Sequence, residues 1–447
     1  MLADRFGGQH SSDDPAAVVL FEEAVLGVLA HRPYVAQALE RVLATDASFT
    51  AAHALKGLAA IVLARGELLA PAAAALHSAR LGLAARGGTA GEQYLVDTLA
   101  QAVEGRLEQA VIRLDARLAC APEDLLAIKL AHSFRFMLGD TAGMLGTSNA
   151  ILPAWSASQA GYGFVLGCHA FALEENGELA AAETVGRAAL HHQPDDAWAL
   201  HAVAHVHEVT GHIQRGIAWL EAARPVWTRC NNFSFHMAWH LALFHLEQGC
   251  HDLVLDLYDA EVRPQPTDDF RDVANAVSLL WRLEQEGVHV GDRWEELRTI
   301  ARRRRRDTTL MFAALHYLMA LVAAGDTTAA GELVEEIGTR ARSGAGSQSE
   351  VAATVGLALA ETILGLARHR PARTALDRLA RATPRLGGSN AQRDVFVRTL
   401  AMIAADHGDR ASCDQVMAYR ARLRREDRFV GLVANRLGLA EALPRAS

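Results

Sequence analysis

Residues 201–211, HAVAHVHEVTG, and 236–249, HMAWHLALFHLEQG, share one layout: an apolar, helix-forming run that ends at a single glycine. The layout recurs. Gly66, Gly105, Gly139, Gly177, Gly211, Gly249, Gly287 and Gly325 each close such a run, at successive separations of 39, 34, 38, 34, 38, 38 and 38 residues. Pro122 and Pro194 follow their glycines by 17 residues, where a second helix should stop. Ala170, Ala204 and Ala242 each precede their glycine by seven residues, where two helices must approach closely.

A period of 34 to 39 residues with a glycine between two amphipathic segments is the signature of tetratricopeptide-like helix-turn-helix repeats. Alternating Val/Ile/Thr runs bounded by hairpin turns are absent, and helix formers fill every window. The expected fold class is therefore all-α: a solenoid, a superhelical array of antiparallel helix pairs. One array is expected over 15–440, with 1–14 and 441–447 as tails. RARSGAGSQSE, 340–350, reads as a loop between repeats.

Composition narrows the function. Of 447 residues, 51% are hydrophobic and 21% charged, and 44 Lys and Arg stand against 52 Asp and Glu for a net charge of −8. Such a balance argues against a nucleic-acid partner, because phosphate-backbone binding needs a basic surface. The five consecutive arginines, Arg302 to Arg306, read as the close of a helix, where cations complement the dipole. Five scattered cysteines without a C-x-x-C pair indicate neither a disulfide framework nor a thiolate zinc site, which fits a reducing cytoplasm. Acids in the first residues and the Glu22–Glu23 pair argue against a signal peptide, and no uninterrupted apolar run suggests a membrane partner.

Ten of the 20 histidines fall between 191 and 251. At about 100° per residue, His205 lies about 40° from His201, and Glu208 returns to within about 20°, so the three share a stripe. His236 and His240 repeat the spacing on the next first helix, whereas His207 and His245 point towards packing. With the turn glycine at position 15 of the repeat, His201, His205 and Glu208 take positions 5, 9 and 12, which face the groove. These five residues form the candidate catalytic set, because an imidazole beside a carboxylate is a general acid or base. The same five offer nitrogen and oxygen ligands to a divalent cofactor such as zinc, iron or manganese. The structural alternative is buried imidazoles that hydrogen-bond to one another or to backbone. His316 takes the frame position of His240, and Trp198 and Trp239 are candidate pocket walls.

A second motif, LGGSNAQRDVF at 386–396, breaks the alanine- and leucine-rich pattern. Ser389 and Gln392 have capping-box spacing and predict a helix start. Gly387 and Gly388 leave amides uncovered before a positive dipole end, and Arg393 adds a fork of donors, so an anionic group could dock there. Ser389, Asn390, Gln392, Arg393 and Asp394, with His316, form the candidate ligand-binding set. A plain helix cap is the structural alternative.

On DAWALHAVAHVHE (196–208), HMAWHLA (236–242), LLWRLEQEGVHVGDRW (279–294), RDTTLMFAALHYLMA (306–320) and LGGSNAQRDVF, the chain resembles the tetratricopeptide repeat protein 38 family. The likeness covers about 160–400 closely. It implies that His201, His205, His207, Glu208, His236, His240, His316 and 387–394 match that family's motif residues, and it implies no substrate. Met237 departs from the pattern, standing where related sequences more often carry asparagine.

Two functions follow. One is an interior polar site acting on a small anionic molecule by acid/base or metal-assisted chemistry. The other is a non-catalytic scaffold that captures a peptide or protein in its concave groove. Assembly as a homodimer is open on either reading.

Overall fold

The repeat is visible helix by helix in the computed structural model, which describes residues 1–368, 374–425 and 427–439. Tyr162–Glu175 is followed by Leu179–His192, Ala197–Val209 by Ile213–Ala222, Phe233–Glu247 by His251–Leu257, and Met311–Ala323 by Thr327–Ser343. One glycine sits between the members of each pair. Gly177, Gly211, Gly249 and Gly325 have φ between 72° and 84°, the left-handed region that lets a helix stop within one residue. At the first of them, Gly177 N donates to Glu174 O (2.9 Å) and Glu178 N to Leu173 O (2.9 Å), so helix-end carbonyls are satisfied and the chain turns back.

Gly66 departs from this rule. It opens the short helical turn Gly66–Leu68, and the left-handed residue is Ala64, with φ 46°. The glycine therefore marks the loop but not its turning residue.

The chain divides into two compact units. Unit 1 comprises Met1–Val206, Glu221–Ser234 and Ala345–Ser347; unit 2 comprises His207–Leu220, Phe235–Gly344 and Gln348–Ser447. The boundary first falls inside the helix Ala197–Val209, where no change of composition marks it.

In unit 1, the first helix Tyr162–Glu175 is buried almost all round and its second helix on one face only. Every residue from Gly163 to Glu175 is buried, whereas Leu179–His192 buries Ala182, Gly186 and Ala189. Gly186 lies where a side chain would strike Val203, and Ala170 and Ala204 are fully buried, as the small-residue pattern predicts. Residues 1–14 differ from the expected loose tail. Leu2–Ala3 pairs antiparallel with Gln9–His10, and Asp4 Oδ1 accepts from Phe6 N (2.9 Å) and Gly8 N (2.8 Å). The His10 ring packs on Phe21 and Phe49, and Ser12 Oγ donates to Asp46 Oδ2 at 2.6 Å. Local turn chemistry and one buried imidazole tie this segment down. The expected tail 441–447 lies outside the described residues.

In unit 2, Phe270–Gln285, Met311–Ala323 and Asn390–Asp406 are buried over most of their length. The arginine run behaves as a helix end. Arg303 pairs with Asp268 (2.6 Å), Arg302 with Asp326 (3.2 Å) and Arg305 with Glu332 (2.5 Å). All five cysteines are free thiols. Two helical stretches, Gly66–Arg86 and Ser347–Ala367, reach the length and mean hydropathy of a membrane span, a test that buried helices of globular proteins also pass.

Candidate functional sites

In unit 1, Asp196 starts the helix Ala197–Val209 by accepting from Trp198 N (3.0 Å), which aims the helix's first turns into the core. His201 and His205, one turn apart, meet edge to face with ring centres 4.2 Å apart, and both are buried. Phe171 stacks on His201 at 5.5 Å. His205 Nδ1 lies 3.1 Å from Glu174 Oε2 and 3.9 Å from Glu175 Oε1, the last two residues of the preceding first helix.

Around Trp198 stands a second group of buried polar side chains. Its Nε1 donates to His132 Nε2 at 3.2 Å, which assigns the remaining ring proton of neutral His132 to Nδ1. Burial first, and then the charges of Lys129 and Arg135, push His132 down to about 3. The Lys129 ammonium sits 4.7 Å over the indole and 3.5 Å from His31 Nε2. Burial pushes Asp196 up to about 7, with Lys129 opposing the shift, and Asp196 Oδ2 has no hydrogen-bond partner. A side chain at Gly167 would collide with that carboxylate.

In unit 2, Glu208 Oε2 lies 3.0 Å from His240 Nδ1, His240 Nε2 lies 3.2 Å from His236 Nε2, and His236 Nδ1 lies 3.0 Å from Asn275 Oδ1. This line of polar atoms begins at a small cavity. Glu208, Asn390, Arg393, Asp394, Leu423 and Arg424 line it, and it has room for one water-sized group. Residues 208 and 394, far apart in sequence, thus meet within one unit.

The cavity wall is electrostatically fixed. Burial pushes the Asp394 carboxyl up, but Arg420 and Arg424 outweigh it and hold the group well below the usual carboxylate range. Arg420 makes a fork of bonds to Asp394 (2.7 and 3.0 Å). Arg424 Nη1 reaches Asp394 at 3.3 Å and Glu208 at 3.5 Å, longer than the roughly 2.7–2.9 Å of a well-formed charged hydrogen bond. Arg282, buried under Trp239, donates to the carbonyls of Ser278 (3.1 Å) and Ala391 (3.0 Å), and burial pushes it down to about 9.

The 386–396 motif builds the helix start that its spacing predicts. Ser389 Oγ accepts from Gln392 N (3.2 Å) and Gln392 Oε1 from Ser389 N (3.0 Å), opening Asn390–Asp406. Arg393 is turned towards its own loop, donating to the Gly388 carbonyl and to Asn390 Oδ1 (2.7 Å). His316 donates to Phe312 O at 2.8 Å and packs on Phe396; burial pushes it down to about 4. Neither His316, Ser389 nor Gln392 lines the cavity.

Sequence reasoning passed over Lys129, His132, Glu174, Glu175, Asp196, Asn275 and Arg424. One signal was present. Glu174 and Glu208 are 34 residues apart at the same frame position, and each contacts a histidine of the next first helix.

No family model matches the chain. Among solved structures it is similar to a chain in the structure of Naa15/Naa10 bound to HypK-THB, at 16% identity and a TM-score of 0.25. The match covers 94% of this chain and 66% of that one, so the chain spans about two thirds of that chain's length.

Proposed function

We propose that this helical-repeat protein, of the tetratricopeptide repeat protein 38 kind, binds the head of a small anionic molecule in the unit 2 cavity and moves a proton on it. One observation carries the reading: the Glu208 carboxylate is both a wall of the cavity and a hydrogen-bond partner of His240. Its proton can therefore be exchanged with an imidazole pair shielded from water, as general acid or base catalysis requires. Asp394, held ionised by two arginines, serves as a fixed anion that positions Arg424. The Arg424 guanidinium, which is shared among Glu208, Glu247, Asp394 and Asp427, and the N-terminal end of Asn390–Asp406 supply the attraction for a carboxylate or phosphate head. His236 and Asn275 end the relay. His236 Nδ1 donates to Asn275 Oδ1, so its Nε2 accepts from His240 Nε2, and the proton between His240 Nδ1 and Glu208 Oε2 is the one that Glu208 can share with the cavity.

The cavity holds one water-sized group as it stands, so a carboxylate or phosphate head enters only with movement of its Arg424 wall. The test is a panel of short carboxylates and phosphate monoesters, screened by thermal shift and by proton NMR in D2O for solvent exchange at ligand carbons. A ligand should raise Tm in the wild type, bind Arg424→Gln at least about tenfold more weakly, and lose exchange in Glu208→Gln while still binding. If no panel member binds, and a peptide is captured equally by wild type and both variants, the scaffold reading replaces this one.

A further inference from the structure

The Glu208–His240 pair of unit 2 has a counterpart in unit 1, Glu174 with His205, the glutamates sharing a frame position and the histidines not. At the frame position of Glu208 stands Glu174, but where Val209 follows Glu208, a second acid, Glu175, follows Glu174. Both carboxylates are turned to the same imidazole. His205 Nδ1 is 3.1 Å from Glu174 Oε2 and 3.9 Å from Glu175 Oε1, with side-chain exposures of 0%, 1% and 0% for His205, Glu174 and Glu175. The three ligand atoms all lie within 4.8 Å of one another.

We infer that Glu174, Glu175 and His205 hold a divalent metal ion. Two physical arguments carry this. The first is spacing: donors about 2.0–2.1 Å from a tetrahedral zinc stand about 3.3 Å from each other, and 3.1 and 3.9 Å bracket that value. The second is the place of the acids in the fold. They are the last two residues of Tyr162–Glu175, at the negative end of a helix dipole, where carboxylates are disfavoured and a cation is favoured. A dication between the two buried carboxylates would offset the cost of burying them.

Two oxygen donors and one imidazole nitrogen suit zinc, manganese or ferrous iron over a thiophilic ion. His201, one turn before His205 and in ring contact with it, stands beside the metal as a positioning residue. The site takes His205 from the set read in the sequence and adds two acids that the reading passed over. It does not depend on the unit 2 cavity.

The experiment uses the untagged full-length chain, stripped with a chelator and titrated with Zn2+ and separately with Mn2+. Metal retained after dialysis is counted by mass spectrometry, and the zinc form is read by X-ray absorption. The expected result is about one retained ion, a rise in Tm, and a mixed shell of imidazole nitrogen and carboxylate oxygen. Glu175→Gln should weaken retention at least about tenfold, and Glu174→Gln with Glu175→Gln should abolish it. Arg424→Gln, which tests the cavity, should leave the stoichiometry at the wild-type value. A chain that retains neither ion, a double variant that retains it undiminished, or an imidazole-only shell overturns the inference. The absorption measurement is made on the wild type, so it decides the matter even if the variants fail to fold.

Discussion

Asp196 combines two roles that usually pull against each other. It caps a helix, which favours its ionised form, yet burial dominates and pushes it up to about 7. In the unfolded chain an aspartate titrates near 3.9, so the folded state binds the proton more tightly. Its contribution to stability is thus fully present below about pH 4 and is lost as pH rises towards 7. His132, pushed down to about 3, works in the opposite sense: its contribution is present above about 6.5 and is lost as pH falls. Asparagine caps helices as well as aspartate does, so Asp196→Asn isolates the first effect. Urea titrations between pH 5 and 8 should show the variant gaining on the wild type as pH rises, with the larger advantage at pH 8. In unit 2, Asp394→Asn removes one anion that Arg420 and Arg424 share, leaving Asp427 to Arg420 and Glu208, Glu247 and Asp427 to Arg424. The expected loss is about 1.5–3 kcal/mol, read as a lower urea midpoint. Neither residue's role was legible from spacing alone. Asp394 was named as a ligand group, but its arginine partners come from 420 and 424, outside the motif that drew attention to it.

The capping box at 389–392 is the element whose sequence and structure agree most closely, because a cap is local: four residues contain both of its hydrogen bonds. Ser389→Ala should cost about 1 kcal/mol. Gly388→Ala should cost more, since φ is +77° and the added methyl would stand 3.0 Å from the Phe312 ring; thermal melts of the two variants side by side check the order. The helix pairs were legible for the same reason as the cap. Glycine is the residue that reaches the left-handed turn most cheaply, so spacing shows where each first helix stops. Where alanine accepts the strain instead, as Ala64 does beside Gly66, the marker shifts. The donor fork expected of Arg393 shows the limit of such reading, because a guanidinium has five donors and the sequence does not say which carbonyls they will meet.

At the scale of the molecule, the division into units does not follow the order of the chain. Residues 221–234 belong to unit 1, where Asn231 N donates to His31 O at 2.7 Å and Phe233 stacks on the His31 ring at 4.4 Å. Residues 345–347 also belong there, with Ser347 N donating to Gly105 O at 2.9 Å. Such returns leave no trace in a period counted along the sequence. A hydrogen-exchange experiment on the whole chain should reveal them: the Asn231 and Ser347 amides are expected to exchange with the protection of unit 1, not that of their chain neighbours at 207–220 and 335–344.

This lacing constrains how such a gene can change length. Unequal recombination that drops the period from Gly211 to Gly249 would also excise the strap that closes the His31 turn. Whole-repeat gains and losses are better tolerated where successive periods stay inside one unit, as between Gly105 and Gly177 or between Gly249 and Gly325.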